Sequence, residues 1–137
     1  MGRGRYDILA EDGYFKMEKT SFQKLDIYRL AEILADNIWK IVANWDRLAQ
    51  DTVGRQLVRA ADSIGANIGE GLGRGSYAET SRFAKIARGS LFEVKHWLRR
   101  AFQRNLLSEE EIKNLRKIID ELTPKLSAYI NSFKDKL

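Results

Sequence analysis

An all-α fold, an antiparallel up-down-up-down bundle of four helices, is predicted by three features of this sequence. Apolar residues recur at three- and four-residue spacing in four successive blocks, each of roughly 20–30 residues. The breaks between blocks are short and carry cap and turn residues. A single proline in 137 residues leaves long helices uninterrupted.

The first block spans about 21–43. Phe22, Leu25, Tyr28, Ala31, Leu34, Ala35, Ile38, Trp39 and Val42 form its apolar face, with Thr20 or Ser21 as N-cap. Asn44-Trp45-Asp46 breaks it, and a short connection ends near Asp51 or Thr52. The second helix, about 52–70, buries Val53, Leu57, Ala60, Ala61, Ile64 and Ile68. A polar stripe of Gln56, Arg59, Ser63, Asn67 and Glu70 runs along one flank, with Gly54, Gly65 and Gly69 on the other. Because glycine inside a helix costs roughly 1 kcal/mol relative to alanine, Gly65 and Gly69 imply a close approach to the backbone, most simply by a neighbouring helix.

Gly71-Leu72-Gly73-Arg74-Gly75 is a loop by composition. Ser76 and Glu79 carry the capping-box signature of a third helix, about 76–104, with Phe83, Ala87, Leu91, Val94, Leu98 and Ala101 facing the core. Ser108 and Glu111 repeat that signature for a fourth helix, about 108–133, in which Pro124 either bends the axis or removes one backbone bond. Residues 1–16 show no sustained period and read as a loose, poorly ordered extension, so the bundle occupies 17–137.

Composition excludes several classes of function. Without cysteine there is neither a disulfide framework nor a thiolate metal site, which suits a reducing cytoplasm. No run approaches the roughly 18 apolar residues of a membrane span, and the N-terminus lacks the apolar core of a signal peptide. A cytoplasmic location is expected. The lone histidine, His96, has no nucleophile or orienting acid in its pattern and reads as a surface residue. The acids lack the Glu-x-x-His spacing of a di-metal bundle, so no metal or other cofactor is expected. Gly71-x-Gly73-x-Gly75 lies between helices and lacks the lysine and hydroxyl of a phosphate loop. No enzyme is expected.

Charge is more informative. The net +5 is concentrated in residues 76–107, where seven basic groups face two acids while the remainder of the chain is balanced. Lys85, Arg88, Phe92, Lys95 and Arg99 form a basic stripe with an aromatic in its middle, and Arg100 adjoins it. A solvated helix face is the plain reading. Concentrated cations with an interleaved aromatic also suit phosphates and an unpaired base, with no base-reading motif to confer sequence specificity. The stripe on the second helix has three readings: an internal Arg–Glu network of Arg59 or Arg88 with Glu70 or Glu93, a subunit contact, or a ligand pocket.

Gln56-Leu57-Val58-Arg59-Ala60-Ala61, Ser63-Ile64, Asn67-Ile68 and Glu70-Gly71-x-Gly73-Arg74, followed by Phe83 and Ile86-Ala87-Arg88-Gly89-Ser90-Leu91-x-Glu93, make a long pattern. It resembles the four-helix bundle proteins encoded in intervening sequences of bacterial 23S ribosomal RNA genes, the S23-type family, which includes the accessory variability proteins of diversity-generating retroelements. The resemblance covers the chain from Ser21-Phe22 to the last helix. It implies a ring-like homopentamer with a basic surface and, for the retroelement members, binding to nucleic acid and to a reverse transcriptase. The chain departs from the common pattern at Gly65, where proline is usual, and at Gly69, where alanine is usual. The first change is expected to straighten or loosen the second helix.

Residues and resemblance together give a non-enzymatic homo-oligomer that binds RNA or DNA through Lys85, Arg88, Phe92, Lys95, Arg99 and Arg100. Arg59, Asn67, Glu70, Arg74 and Glu93 are assigned to structure and assembly. The alternative is an interaction or assembly module with no direct nucleic-acid contact.

Overall fold

A computed structural model of the chain describes residues 22–137, with side chains from Asp26 onward. The extension at 1–16, the Thr20 or Ser21 cap and the side chains of Phe22 and Leu25 lie outside the described residues. Four helices dominate: α1 (Phe22–Val42), α2 (Arg55–Leu72), α3 (Tyr77–Gln103) and α4 (Glu109–Asn131). No strand occurs among the described residues.

The helices form a ring in which α1 packs on α2 and α4, and α3 packs on the same two. Cross-helix pairs run in opposite chain directions at each joined seam. Lys125 of α4 bonds Asp26 of α1, whereas the earlier Asn114 donates to the later Asn37 at 3.2 Å. Between α2 and α3, Ser63 pairs with Ser90, whereas the later Gly71 accepts from the earlier Thr80. Neighbouring helices are therefore antiparallel, and the bundle is up-down-up-down.

Helix ends are fixed by the side chains that composition places there. Ser108 and Glu111 complete a reciprocal capping box on α4. On α3 the Ser76 hydroxyl accepts from the Glu79 amide at 3.2 Å, while the Glu79 carboxylate bonds Arg82. α3 ends in a Schellman turn: Asn105 adopts φ 60°, and Leu106 N–H reaches back to the Ala101 carbonyl at 2.9 Å. Pro124 lies on the exposed face of α4, which continues through it, and α2 likewise runs unbroken through Gly65.

The start of the second helical stretch differs from the sequence expectation. Asp46, not residue 51 or 52, is the cap: its carboxylate accepts from the Ala49 amide at 2.9 Å. A short turn at Arg47–Ala49 and a π-helical turn at Gln50–Gly54 then lead into α2. The Gln50 amide donates to the Val42 and Ala43 carbonyls, closing the end of α1. The Trp45 indole bonds the Leu106 carbonyl at 2.9 Å, tying the α1–α2 corner to the α3–α4 corner at one end of the bundle.

The core is aliphatic. Ile27, Leu34, Ile38, Leu57, Ile64, Leu91, Val94, Leu122 and Leu126 are sealed from solvent. Every residue expected to form the apolar face of the second helix is buried. Trp39, placed on the core face of the first helix by its spacing, is instead 62% exposed. The face of α1 must serve two neighbours, α2 and α4, and is centred on Ile27, Leu34 and Ile38, which leaves Trp39 at its edge.

Candidate functional site

α3 carries the basic stripe because its core face fixes the rotation of the helix. With Ala87, Leu91 and Val94 buried, Lys85, Arg88, Phe92, Lys95 and Arg99, three or four residues apart, fall together along one flank, of which Lys95 and Arg99 border α4. Lys85 and Arg99 are exposed, and Arg88 and Lys95 are half-buried. Phe92 is 60% exposed, and the Lys95 ammonium lies 5.2 Å from its ring centroid, within cation–π range. Arg100 points elsewhere, its guanidinium donating to the Gln103 side chain at 2.6 Å.

What sets these cations apart is their alignment on one helix face, since other described basic side chains, Arg59 and Arg116 among them, also lack an ion pair. Arg29, Arg47, Arg55, Arg74, Arg82 and Lys125 each pair with a carboxylate three or four residues away in the chain. Lys85, Arg88, Lys95 and Arg99 form no ion pair with any described residue. Their charge faces solvent uncompensated.

Between α3 and α4 the helices stand apart and leave a groove of about 490 Å³. Leu98, Ile112, Leu115 and Ile119 make its floor, and Phe102, 54% exposed, forms one wall. Lys95 and Arg99 rise on the α3 bank, and Arg116 faces them from α4 with Asp120 one turn on. Sequence reasoning missed Arg116 and Phe102. Their signal is a relation between two helices, which neither helix's period records.

Of the residues assigned to assembly, the structure brings only Glu70 and Arg74 into contact with each other. Among the described residues no Arg–Glu ion pair links the second and third helices. Glu70 pairs with Arg74 at 3.1 Å, one turn along its own chain, and Glu93 accepts from the Trp97 indole at 3.2 Å. Arg59 is exposed. A lighter polar link joins the two helices: the Ser63 and Ser90 hydroxyls meet at 2.9 Å, and the Asn67 amide donates to the Ser63 carbonyl and hydroxyl at 2.8 and 2.9 Å. Partners four residues away are nearer than partners on another helix, so the long charged side chains close locally.

The glycine expectation also shifts. A Cβ on Gly65 would lie 3.8 Å from Ala31 and 3.9 Å from Tyr28, ordinary contacts. The tight approaches are at Gly54, 2.7 Å from Val42 Cγ1, and at Gly71, 3.0 Å from Phe83 Cβ and 3.3 Å from the Thr80 backbone. Gly65, Gly69 and Gly73 instead line a shallow depression beside Tyr28.

On the seam opposite the basic groove, Glu32 and Asp36 of α1 lie near Asp62 of α2. Burial, then the Asp36 charge, pushes the Glu32 and Asp62 carboxyls above their ordinary values. On the α1–α4 seam the Lys125 ammonium, with Arg29, holds Asp26 below its ordinary value. His96 is exposed, its ring edge-on to Trp97. Among the described residues no group of three or more His, Asp or Glu side chains has the geometry to hold a metal ion, and no helix is long and apolar enough to cross a membrane.

Comparison with known proteins completes the picture. No curated protein sequence matches the chain. Among solved structures, the chain is similar to a protein of unknown function from the S23 ribosomal protein family of Bacteroides thetaiotaomicron. The TM-score is 0.72 at 20% identity, covering 80% of this chain and 99% of that one. At that identity the likeness speaks for the fold, and the bundle is common to both. The family model described as 23S rRNA-intervening sequence protein matches residues 23–128, from the first turn of α1 nearly to the end of α4. The chain belongs to the 23S rRNA-intervening sequence protein family.

Proposed function

We propose that this protein is a non-catalytic, homo-oligomeric bundle that binds RNA or DNA without sequence specificity through the basic flank of α3. One observation carries the reading: the concentrated charge of the chain includes four cations, Lys85, Arg88, Lys95 and Arg99, left without carboxylate partners along one helix face. Phosphates would supply the missing anions, and release of their counterions would make binding steeply dependent on salt. The reverse transcriptase that the resemblance implies as a partner belongs to the same proposal, and co-purification with a reverse transcriptase encoded beside the gene tests it.

The direct test is a binding titration against structured RNA. Four phosphate contacts predict an affinity that falls on the order of 100-fold between ~50 and ~200 mM salt. Lys85→Glu with Arg99→Glu should abolish it. Salt-independent binding, or none at low salt, would sink the proposal.

A second reading is favoured by the carboxylates Glu32, Asp36 and Asp62 on the seam opposite the cations, with exposed Trp39 on the same α1. Opposite charges on opposite faces suit head-to-tail contact between copies, which closes into a ring when the rotation permits. In that case the same double variant breaks the oligomer in sizing experiments, and the protein binds no nucleic acid.

A further inference from the structure

The stripe on α3 accounts for phosphate contact but leaves the groove beside it unused. We infer that the α3–α4 groove is a binding site for single-stranded nucleic acid, taking unpaired bases on its apolar floor and the flanking phosphates on its two banks. This rests on the nucleic-acid reading above and narrows it to one class of ligand.

Three observations lead there. The floor is apolar and open: Leu98 and Ile112 are only half-buried, so the groove of about 490 Å³ has a hydrocarbon floor beneath charged banks. A duplex presents phosphates and base edges to a helix face and cannot fill such a space, whereas an unpaired base offers a flat face that can. The cations stand on both banks, Lys95 and Arg99 on α3 and Arg116 on α4, which suits a strand lying along the groove better than a cylinder resting on one helix. The single acid on the rim, Asp120, leaves the mouth net positive.

The third observation concerns the aromatics. Phe92 and Phe102 are both more than half exposed and bracket Lys95 and Arg99 in sequence along α3, Phe102 lining the groove and Phe92 lying on the basic stripe outside its lining. Ten residues of helix set them ~15 Å apart. Aromatic, cation, cation, aromatic in that order, leading from the stripe into the groove, is a composition that stacks bases while neutralising the backbone between them. Exposed phenyl rings flanked by unpaired cations have no role in the packing of the bundle.

The test compares one strand with its own duplex on the full-length protein. Fluorescence anisotropy is read at low salt with a labelled ~12-nucleotide oligo-uridine and with a duplex of the same length, within the usual span of single-strand sites. The single strand should bind at least ~10-fold more tightly. Phe102→Ala, at a half-exposed position, should weaken the single strand by ~5- to 100-fold and leave the duplex unchanged. Ile112→Asn, which makes the floor polar, should act in the same direction, and unaltered thermal melts confirm that both variants fold. Equal affinity for the two oligonucleotides, or full single-strand affinity in both variants, overturns the groove and leaves the phosphate-binding stripe standing. Binding to neither at low salt overturns both.

Discussion

Against α2, α3 is sealed; against α4, it stands off. On the sealed side Gly71 admits the Phe83 side chain and the Thr80 backbone, and a serine pair with an asparagine behind it supplies the polar link. On the open side half-buried aliphatics meet solvent across a groove with cations on its banks. The two flanks belong to one helix and differ in what they have to satisfy. Small residues and short hydroxyls permit close packing and complete their own bonds. On the open side the long basic side chains line the gap and remain unpaired. The division teaches that the glycine and serine of the patterned stretch, Gly71 and Ser63, serve the close α2–α3 seam, whereas the open groove is lined by residues further along the chain.

Truncation should separate the two sides most sharply. Leu91 is sealed in the core, so Leu91→Ala should cost roughly 2–5 kcal/mol in urea unfolding. Leu98, half-buried at the groove, should lose less than about 2 kcal/mol with the same change. Equal losses would show that the groove closes in solution.

Glycine substitutions sharpen the contrast at smaller scale. Gly71→Val would drive its side chain into Phe83 Cβ and the Thr80 backbone, destabilising by roughly 1–3 kcal/mol. Gly65→Ala meets ordinary contacts and gains helix propensity, so it should raise stability by roughly 0.5–1 kcal/mol. Thermal melts of the two variants, shifted in opposite directions, check the assignment of the close approach.

The smallest effect is in the pH dependence. Glu32 and Asp62 are raised, so ionising them costs stability at neutral pH, and that cost disappears as pH falls through their raised values toward the ordinary carboxylate range. Asp26 is lowered, so its contribution is complete above the ordinary aspartate value and is lost as pH falls through its depressed one. The melting temperature should therefore rise slightly on mild acidification and fall beyond it. Asp36→Asn removes the smaller of the two causes acting on both raised carboxyls, so it should shrink the first limb without abolishing it and leave the second unchanged.

The bundle was legible in the sequence because each helix carries its own period. The buried face of α2 and the Ser108 cap follow from residues a few positions apart. Features that depend on two helices were not legible. Spacing cannot tell whether Trp39 falls at the centre or the edge of a face shared by two neighbours. Nor can it tell that Gly71 rather than Gly65 meets the crowded backbone, or that Glu70 prefers Arg74 to a partner across the seam. Of the candidate site, the cations of the α3 bank were readable, whereas Phe102 on that bank and Arg116 on the α4 bank were not.

The ends of the bundle are unequal, and this decides where the chain can be opened. At one end the Trp45 indole clasps the two corners together through Leu106. At the other, α2 passes to α3 through exposed Gly73, Arg74 and Gly75, with Gly75 at φ 81°. A new pair of termini, a fused reporter or an inserted domain belongs between Gly73 and Ser76. There the two hairpins remain joined by their sealed flank, and the opposite groove is left untouched.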